Sequence, residues 1–290
     1  MHATDKGIIK GSKFLIILPT ILKMKKAFLG LFISVIGLTS MAQTMEVGPY
    51  GGVSYYLGDL NPGVHFMSSK LAYGVIARVN FNPRIAIRGG FYRGHIAGDD
   101  MKSQVNVTRD LNFKSPITDI SVVGEFNFFE YFTGTKRDRL SPFIFAGVGM
   151  CIFNPESEGV KLKDIGTEGQ NVGFDGRKPY KLISFSVPFG IGVKFSLNSR
   201  FGLTAEWGMR KTFTDYIDDV STTYYLDGSQ INSSNIDEVL SDPTMSHDAY
   251  MERGNPATKD WYNFTGLTLT YKFKLFGGRK CYDQIRKGTN

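Results

Sequence analysis

The segment Ile183–Ser196 alternates without a break. Ile183, Phe185, Val187, Phe189, Ile191, Val193 and Phe195 are apolar, and Ser184, Ser186, Pro188, Gly190, Gly192, Lys194 and Ser196 fall between them. Successive side chains of a β-strand point to opposite faces, so this segment has one apolar face and one small or polar face. A helix would scatter both sets around its circumference. The pattern returns in Phe201–Thr212, where Phe201, Leu203, Ala205, Trp207 and Met209 alternate with Gly202, Thr204, Glu206, Gly208 and Arg210. It returns again in 266–275, where Leu267, Leu269, Tyr271, Phe273 and Leu275 alternate with Gly266, Thr268, Thr270, Lys272 and Lys274.

Five further segments follow the rule less strictly: 46–57, 71–81, 84–96, 117–129 and 141–153. In the last, Ile144, Val148 and Met150 read as one face and Gly147 and Gly149 as the other. That assignment leaves Phe143 and Phe145 awkwardly among the small residues. Eight such segments, each long enough to cross a bilayer at a tilt, make an even set of strands. Short connections (82–83, 133–140, 197–199) alternate with long ones (58–70, 97–116, 154–179, 211–259). Backbone polar groups in lipid need partners within the protein, so strands can span only as a closed barrel. The expected fold is therefore all-β, an eight-stranded antiparallel up-and-down transmembrane β-barrel. Its short turns and both chain ends lie in the periplasm and its long loops outside.

A soluble barrel would turn its apolar residues inward. Against that, the other face is Gly, Ser and Thr with charges of both signs, as a narrow polar lumen requires. Aromatic residues near the strand ends (Tyr55, Phe81, Phe128, Phe195, Phe201, Tyr271, Phe273) also read as interfacial girdles against outer-membrane lipids.

The 290 residues carry 34 Lys and Arg against 27 Asp and Glu, a net +7 that taken alone suggests an anionic partner. The excess is concentrated at the start. Met24-Lys25-Lys26, the apolar run 27–38 and the small residues of Ser40-Met41-Ala42 have the form of a secretory signal peptide. The run is too short to span as a helix. The expected organisation is a mis-called start at 1–23, a signal peptide at 24–42, the barrel at 43–276 and a periplasmic tail at 277–290. Without residues 1–42 the balance is 28 against 26, a net +2, and no basic stripe remains for nucleic acid.

The charges expected in the lumen are Glu46, Arg78, Arg88, Asp119, Glu125, Lys194, Glu206, Arg210 and Lys272. Eight strands leave no aqueous channel, so these charges should pair as a structural plug, with Arg78, Arg88, Glu125, Lys194, Glu206 and Arg210 at its centre. No nucleophile, metal or cofactor motif accompanies His65, His95 and His247, which argues against an enzyme. The longest loop is acidic (Asp215, Asp218, Asp219, Asp227, Asp237, Glu238, Asp242, Asp248) but lacks EF-hand spacing, and reads as solvated. Cys151 lies near the outer end of the fifth strand and Cys281 in the tail, a bilayer apart, well beyond the roughly 7 Å Cα limit of a disulfide. Cys281 sits in the basic stretch Arg279-Lys280-Cys281-Tyr282, which suggests a mixed disulfide with a periplasmic partner.

Several stretches carry a resemblance. Ala42-Gln43, then Gly51-Gly52-Val53-Ser54-Tyr55-Tyr56-Leu57-Gly58-Asp59-Leu60-Asn61, Asn80-Phe81-Asn82-Pro83-Arg84 with Gly98-Asp99-Asp100, and Glu125-Phe126-Asn127-Phe128-Phe129-Glu130-Tyr131 resemble a Bacteroidetes-type outer-membrane barrel family, the PorG-like component of the type IX secretion system. The resemblance runs over essentially the whole chain after the signal peptide. It implies a non-enzymatic outer-membrane anchor for a periplasmic ring of a PorK-like lipoprotein and a PorN-like partner. The alternative is a small structural or surface-binding barrel that acts through its extracellular loops.

Overall fold

In the computed structural model, which describes residues 44–135 and 139–273, each alternating segment pairs edge to edge with its neighbour in the chain. The barrel strands are β1 (Thr44–Leu57), β2 (Lys70–Asn80), β3 (Ile85–Asp99), β4 (Asn112–Asn127) and β5 (Leu140–Phe153). After a small hairpin, β6 (Glu156–Ser157) and β7 (Val160–Lys161), the wall resumes with β8 (Ile183–Ser196), β9 (Phe201–Thr212) and β10 (Trp261–Phe273). Every pairing is antiparallel, and β1 meets β10 to close the wall, with Leu57 opposite Trp261 and Met45 opposite Phe273. The fold is thus a closed, eight-stranded antiparallel barrel. Closure removes every open edge, as a wall facing hydrocarbon requires. Among the described residues no helix is long and apolar enough to cross a membrane.

The alternation becomes two surfaces. Outward residues such as Phe185, Val148, Tyr73, Val122, Ile191 and Leu267 are more than half exposed. The inward row is buried although it is polar. Of the residues assigned to the girdles, Phe128, Phe195, Phe201 and Phe273 face outward and are exposed, whereas Tyr55 is fully buried. Loop 58–69 folds back over it: the Phe66 ring lies 4.9 Å from the Tyr55 ring, and Trp207 Nε1 donates to its hydroxyl at 3.0 Å.

Three strand limits depart from expectation. β3 and β4 run on to Asp99 and back to Asn112, and the β6–β7 hairpin adds to β4 where Lys114 pairs with Glu156. There the outward residues are Arg93, His95 and Lys114, so the alternation of apolar with polar stops while the strand continues. β10 begins at Trp261, five residues before the regular pattern. Asn263 faces outward there, yet it is covered and donates to Met209 Sδ at 3.3 Å.

Phe143 and Phe145 do lie inside, buried, where their sequence neighbours seemed too small for them. Glycines on the two neighbouring strands, β8 and β9, make the room. A Cβ at Gly192 would lie 2.5 Å from the Phe143 ring, and one at Gly208 would lie 2.8 Å from Phe145.

Candidate functional site

Two polar assemblies stand out: the charges in the lumen and the cap of loops over one mouth. In the lumen, Glu125 of β4 is the hub. Arg78 Nε reaches its Oε2 at 2.7 Å, Lys194 Nζ reaches the same oxygen at 2.6 Å, and Arg88 Nε lies 2.7 Å from Oε1. Arg78 continues to Glu46 at 2.8 Å, and Arg88 Nη1 pairs with Glu206. Three carboxylates and three cations from β1, β2, β3, β4, β8 and β9 form one neutral network, all of it buried. The period of two explains the meeting, since it turns every one of these residues to the inner face.

The network also engages the two phenylalanines. Lys194 Nζ stands 4.6 Å over the Phe143 ring and Arg88 Cζ 4.9 Å over that of Phe145, so aromatic faces stabilise cations that have left water. Arg210, expected in the same network, is set apart. Its nearest carboxylate contact is Asp119 at 4.0 Å, and it lies against the rings of Tyr92 and Phe264, 5.2 and 4.9 Å away. Asp119 is instead held by Tyr262 at 2.7 Å and Ser121 at 2.8 Å. Lys272 sits at the opposite end, donating to the carbonyl of Thr133.

Six strands thus converge on one cluster of ion pairs inside the barrel. Burying such charges is costly unless they pair. The expected partner residues Arg279, Lys280, Cys281 and Tyr282 lie outside the described residues, as does the signal segment. Cys151 is buried, with Sγ 3.5 Å from the carbonyl of Ser184, and is sheltered from exchange with a partner.

The cap corrects a second expectation. Of the eight acids read as solvated loop, Asp215, Asp218, Asp219 and Asp242 are buried. Arg253, the single Arg among ten Asp and Glu in 213–260, reaches one of them, Asp219, at 3.9 Å. It donates to the Asp219 carbonyl at 2.6 Å and to Glu168 at 3.2 Å. Glu168, from loop 154–182, also accepts from the Ser221 and Thr222 amides at 2.8 and 3.0 Å. Arg109 ties three loops together: it pairs with Asp100 at 2.6 Å and donates to the carbonyls of Asp59 and Arg253 at 3.0 and 2.6 Å. Burial raises Asp219 to about 6 despite Arg253, and burial raises Asp215 to about 6 as well.

Sequence reading missed Arg109, Glu168 and Arg253 as organisers. The one signal was a lone Arg in an acidic loop. A cleft of about 170 Å³ opens in this cap, lined by Leu60, Leu111, Val220 and Leu240, with Asp218 and Arg253 in its wall. Among the described residues no three His, Cys, Asp or Glu side chains are placed to hold a metal ion.

A family model described as "Domain of unknown function (DUF6089)" matches residues 25–284. No curated protein sequence matches the chain. Among solved structures it is similar to Neisserial surface protein A, with a TM-score of 0.42 and 8% identity over 79% of this chain and 97% of that one. It is also similar to the attachment invasion locus protein Ail of Yersinia pestis (0.41, 10%, covering 80% and 99%). A third is the N-terminal β-barrel domain of Pseudomonas aeruginosa OprF (0.38, 11%, covering 80% and 98%). These structural neighbours are outer-membrane barrels.

Proposed function

Because the chain belongs to the DUF6089 family, and its barrel is filled by ion pairs, we propose that it works through its surfaces, as a non-enzymatic outer-membrane anchor for a periplasmic assembly. The ion-paired lumen is the observation that supports this reading. An eight-stranded barrel whose interior is filled by side chains acts by what it presents at either end and by the lipid belt that holds it. In this reading the short turns 81–84, 128–139 and 197–200 face the periplasm together with both chain ends, and the tail 277–290 reaches the partner. The partner class is a lipoprotein ring of the PorK and PorN kind, as the PorG-like resemblance implies, with Cys281 available for a mixed disulfide.

The turn end has the build of a rigid platform. Asn82 Oδ1 accepts from the Arg84 and Ile85 amides at 2.8 and 2.9 Å, and Arg84 Nη1 donates to the Phe128 carbonyl at 2.7 Å. These residues belong to the Asn-Phe-Asn-Pro-Arg stretch that carries part of the resemblance. The other such stretch, Tyr56 to Asn61, turns the chain into the cap: Asn61 Nδ2 donates to the Tyr56 and Val64 carbonyls, both at 2.9 Å.

The loop cap favours a second reading, a surface-binding barrel. Its buried ion pairs give an ordered outer face of the kind a recognition surface needs. Crosslinking in outer membranes followed by purification separates the two. A lipoprotein captured through 277–290 supports the anchor. Secretion unchanged by deletion of that tail, with capture only through the loops, supports the surface role.

A further inference from the structure

Three side chains from three parts of the chain meet where loop 213–260 closes the barrel mouth. Tyr56 is the last inward residue of β1, Asp260 directly precedes β10, and Asp218 belongs to the loop; all are buried. The Tyr56 hydroxyl bonds Asp218 Oδ2 and lies 3.1 Å from Asp260 Oδ1. The remaining carboxyl oxygens have other donors: Val220 N gives to Asp218 Oδ1 and Ile217 N to Asp260 Oδ2, both at 2.9 Å.

A phenol has one hydrogen and can serve one carboxylate. With Tyr56 donating to Asp218, its oxygen and Asp260 Oδ1 would face each other as bare lone pairs at hydrogen-bond distance. A hydrogen on one carboxyl completes the chain, Asp260 to Tyr56 to Asp218 or the reverse. We propose that Tyr56, Asp218 and Asp260 share one retained proton at neutral pH, and that its release unlatches loop 213–260 from the barrel mouth.

The surroundings favour keeping that proton. The cations in the cap are committed elsewhere: Arg109 to Asp100, Arg253 to Glu168 and Asp219, and Lys259 to Asp215 at 3.9 Å. From loop 58–69, Asp59 adds negative charge; from the same loop as Asp218, so does Asp215. Burial first, then Asp260 and Asp59, holds Asp218 well above the usual carboxylate range. Burial first, then Asp215 and Asp59, does the same for Asp260.

A carboxyl whose folded pKa is raised contributes fully at acid pH and loses its contribution as pH rises towards that value. For one proton, the opening constant of the loop grows up to tenfold per pH unit in that range.

The test uses the full-length protein folded in bilayers, as wild type and as Asp260→Asn, whose amide carries its own hydrogen towards Tyr56. Infrared spectra at neutral pH should show a protonated-carboxyl band in wild type that Asp260→Asn lacks. Amide exchange of residues 217–222, corrected for the chemical exchange rate, should rise more steeply with pH in wild type than in the variant, which keeps only the dependence due to Asp219 and Asp215. Absence of that band in wild type, or equal pH slopes in the two proteins, overturns the proposal. Should Asp260→Asn fail to fold, Asp218→Asn makes the same substitution at the other end of the chain, and the wild-type spectrum decides alone.

Discussion

The ring of Phe145 ends where Gly208 has no side chain: a Cβ on Gly208 would lie 2.8 Å from Phe145 Cζ and 2.6 Å from Arg210 Nη1. A bulky residue on β5 and a glycine on β9 thus share one slot in the lumen. Both neighbours of that Cβ are side-chain atoms, so the conflict can be relieved by a smaller ring position. Gly208→Ala should destabilise the barrel by about 1–3 kcal/mol through overpacking. Adding Phe145→Leu should recover part of that loss. Urea unfolding in lipid vesicles, followed by Trp fluorescence, measures both.

Glu125 is in contact with three cations, so its removal is felt beyond a single bond. Glu125→Gln leaves Arg78, Arg88 and Lys194 with one carboxylate fewer in a buried, formerly neutral network. The expected loss is about 3–5 kcal/mol, the range for stranding a buried charge. Equal urea midpoints for variant and wild type would show that the network is not structural.

Asp219 gives the cap a pH dependence of its own. Its carboxyl, raised to about 6 by burial, is held by Tyr180 at 2.6 Å and by Thr167. A raised carboxyl pKa means stability present in full below about 4 and lost as pH rises to about 6. Amide exchange around 217–222 should therefore become faster, after chemical correction, across that interval. Asp219→Asn should remove its own share of that dependence, leaving the share of Asp215, and leave the barrel strands unaffected.

The outward face can be read by lipid-borne quenchers. Trp207 and Trp261 lie on the outer wall, with Trp207 partly covered by Tyr55 of β1 and His65 of loop 58–69. Brominated acyl chains should quench Trp emission in reconstituted protein. Phe66→Ala, which removes the ring against Tyr55, should increase the share contributed by Trp207. Absence of quenching would contradict a lipid-facing outer wall.

The strands legible in the sequence were those that stay within the apolar belt. β8 coincides with its alternating segment because its outward residues, Ile183 to Phe195, are all apolar, as a wall facing hydrocarbon requires. β9 keeps the pattern from Phe201 to Met209 although Met209 itself is buried. The pattern faded at Asn263 of β10, which is covered by protein, and at Lys114 of β4, where the wall continues past the apolar belt. The lumen charges were legible because a period of two puts them on one face. The separation of Arg210 from the hub was not, since it depends on which aromatic rings lie across from it. The buried acids of the cap were hidden for a similar reason. Their partners, Arg109 and Glu168, come from other loops, and no local spacing links them to 213–260.

The central claim is that this barrel anchors a periplasmic assembly through its C-terminal tail. Its most direct test is copurification after crosslinking in outer membranes, comparing the full chain with a chain that lacks residues 277–290. The account predicts a lipoprotein recovered with the full chain and lost with the truncated one, while both remain folded by heat-dependent gel mobility. Recovery of the same partners with both chains, or of no periplasmic protein with either, would contradict it.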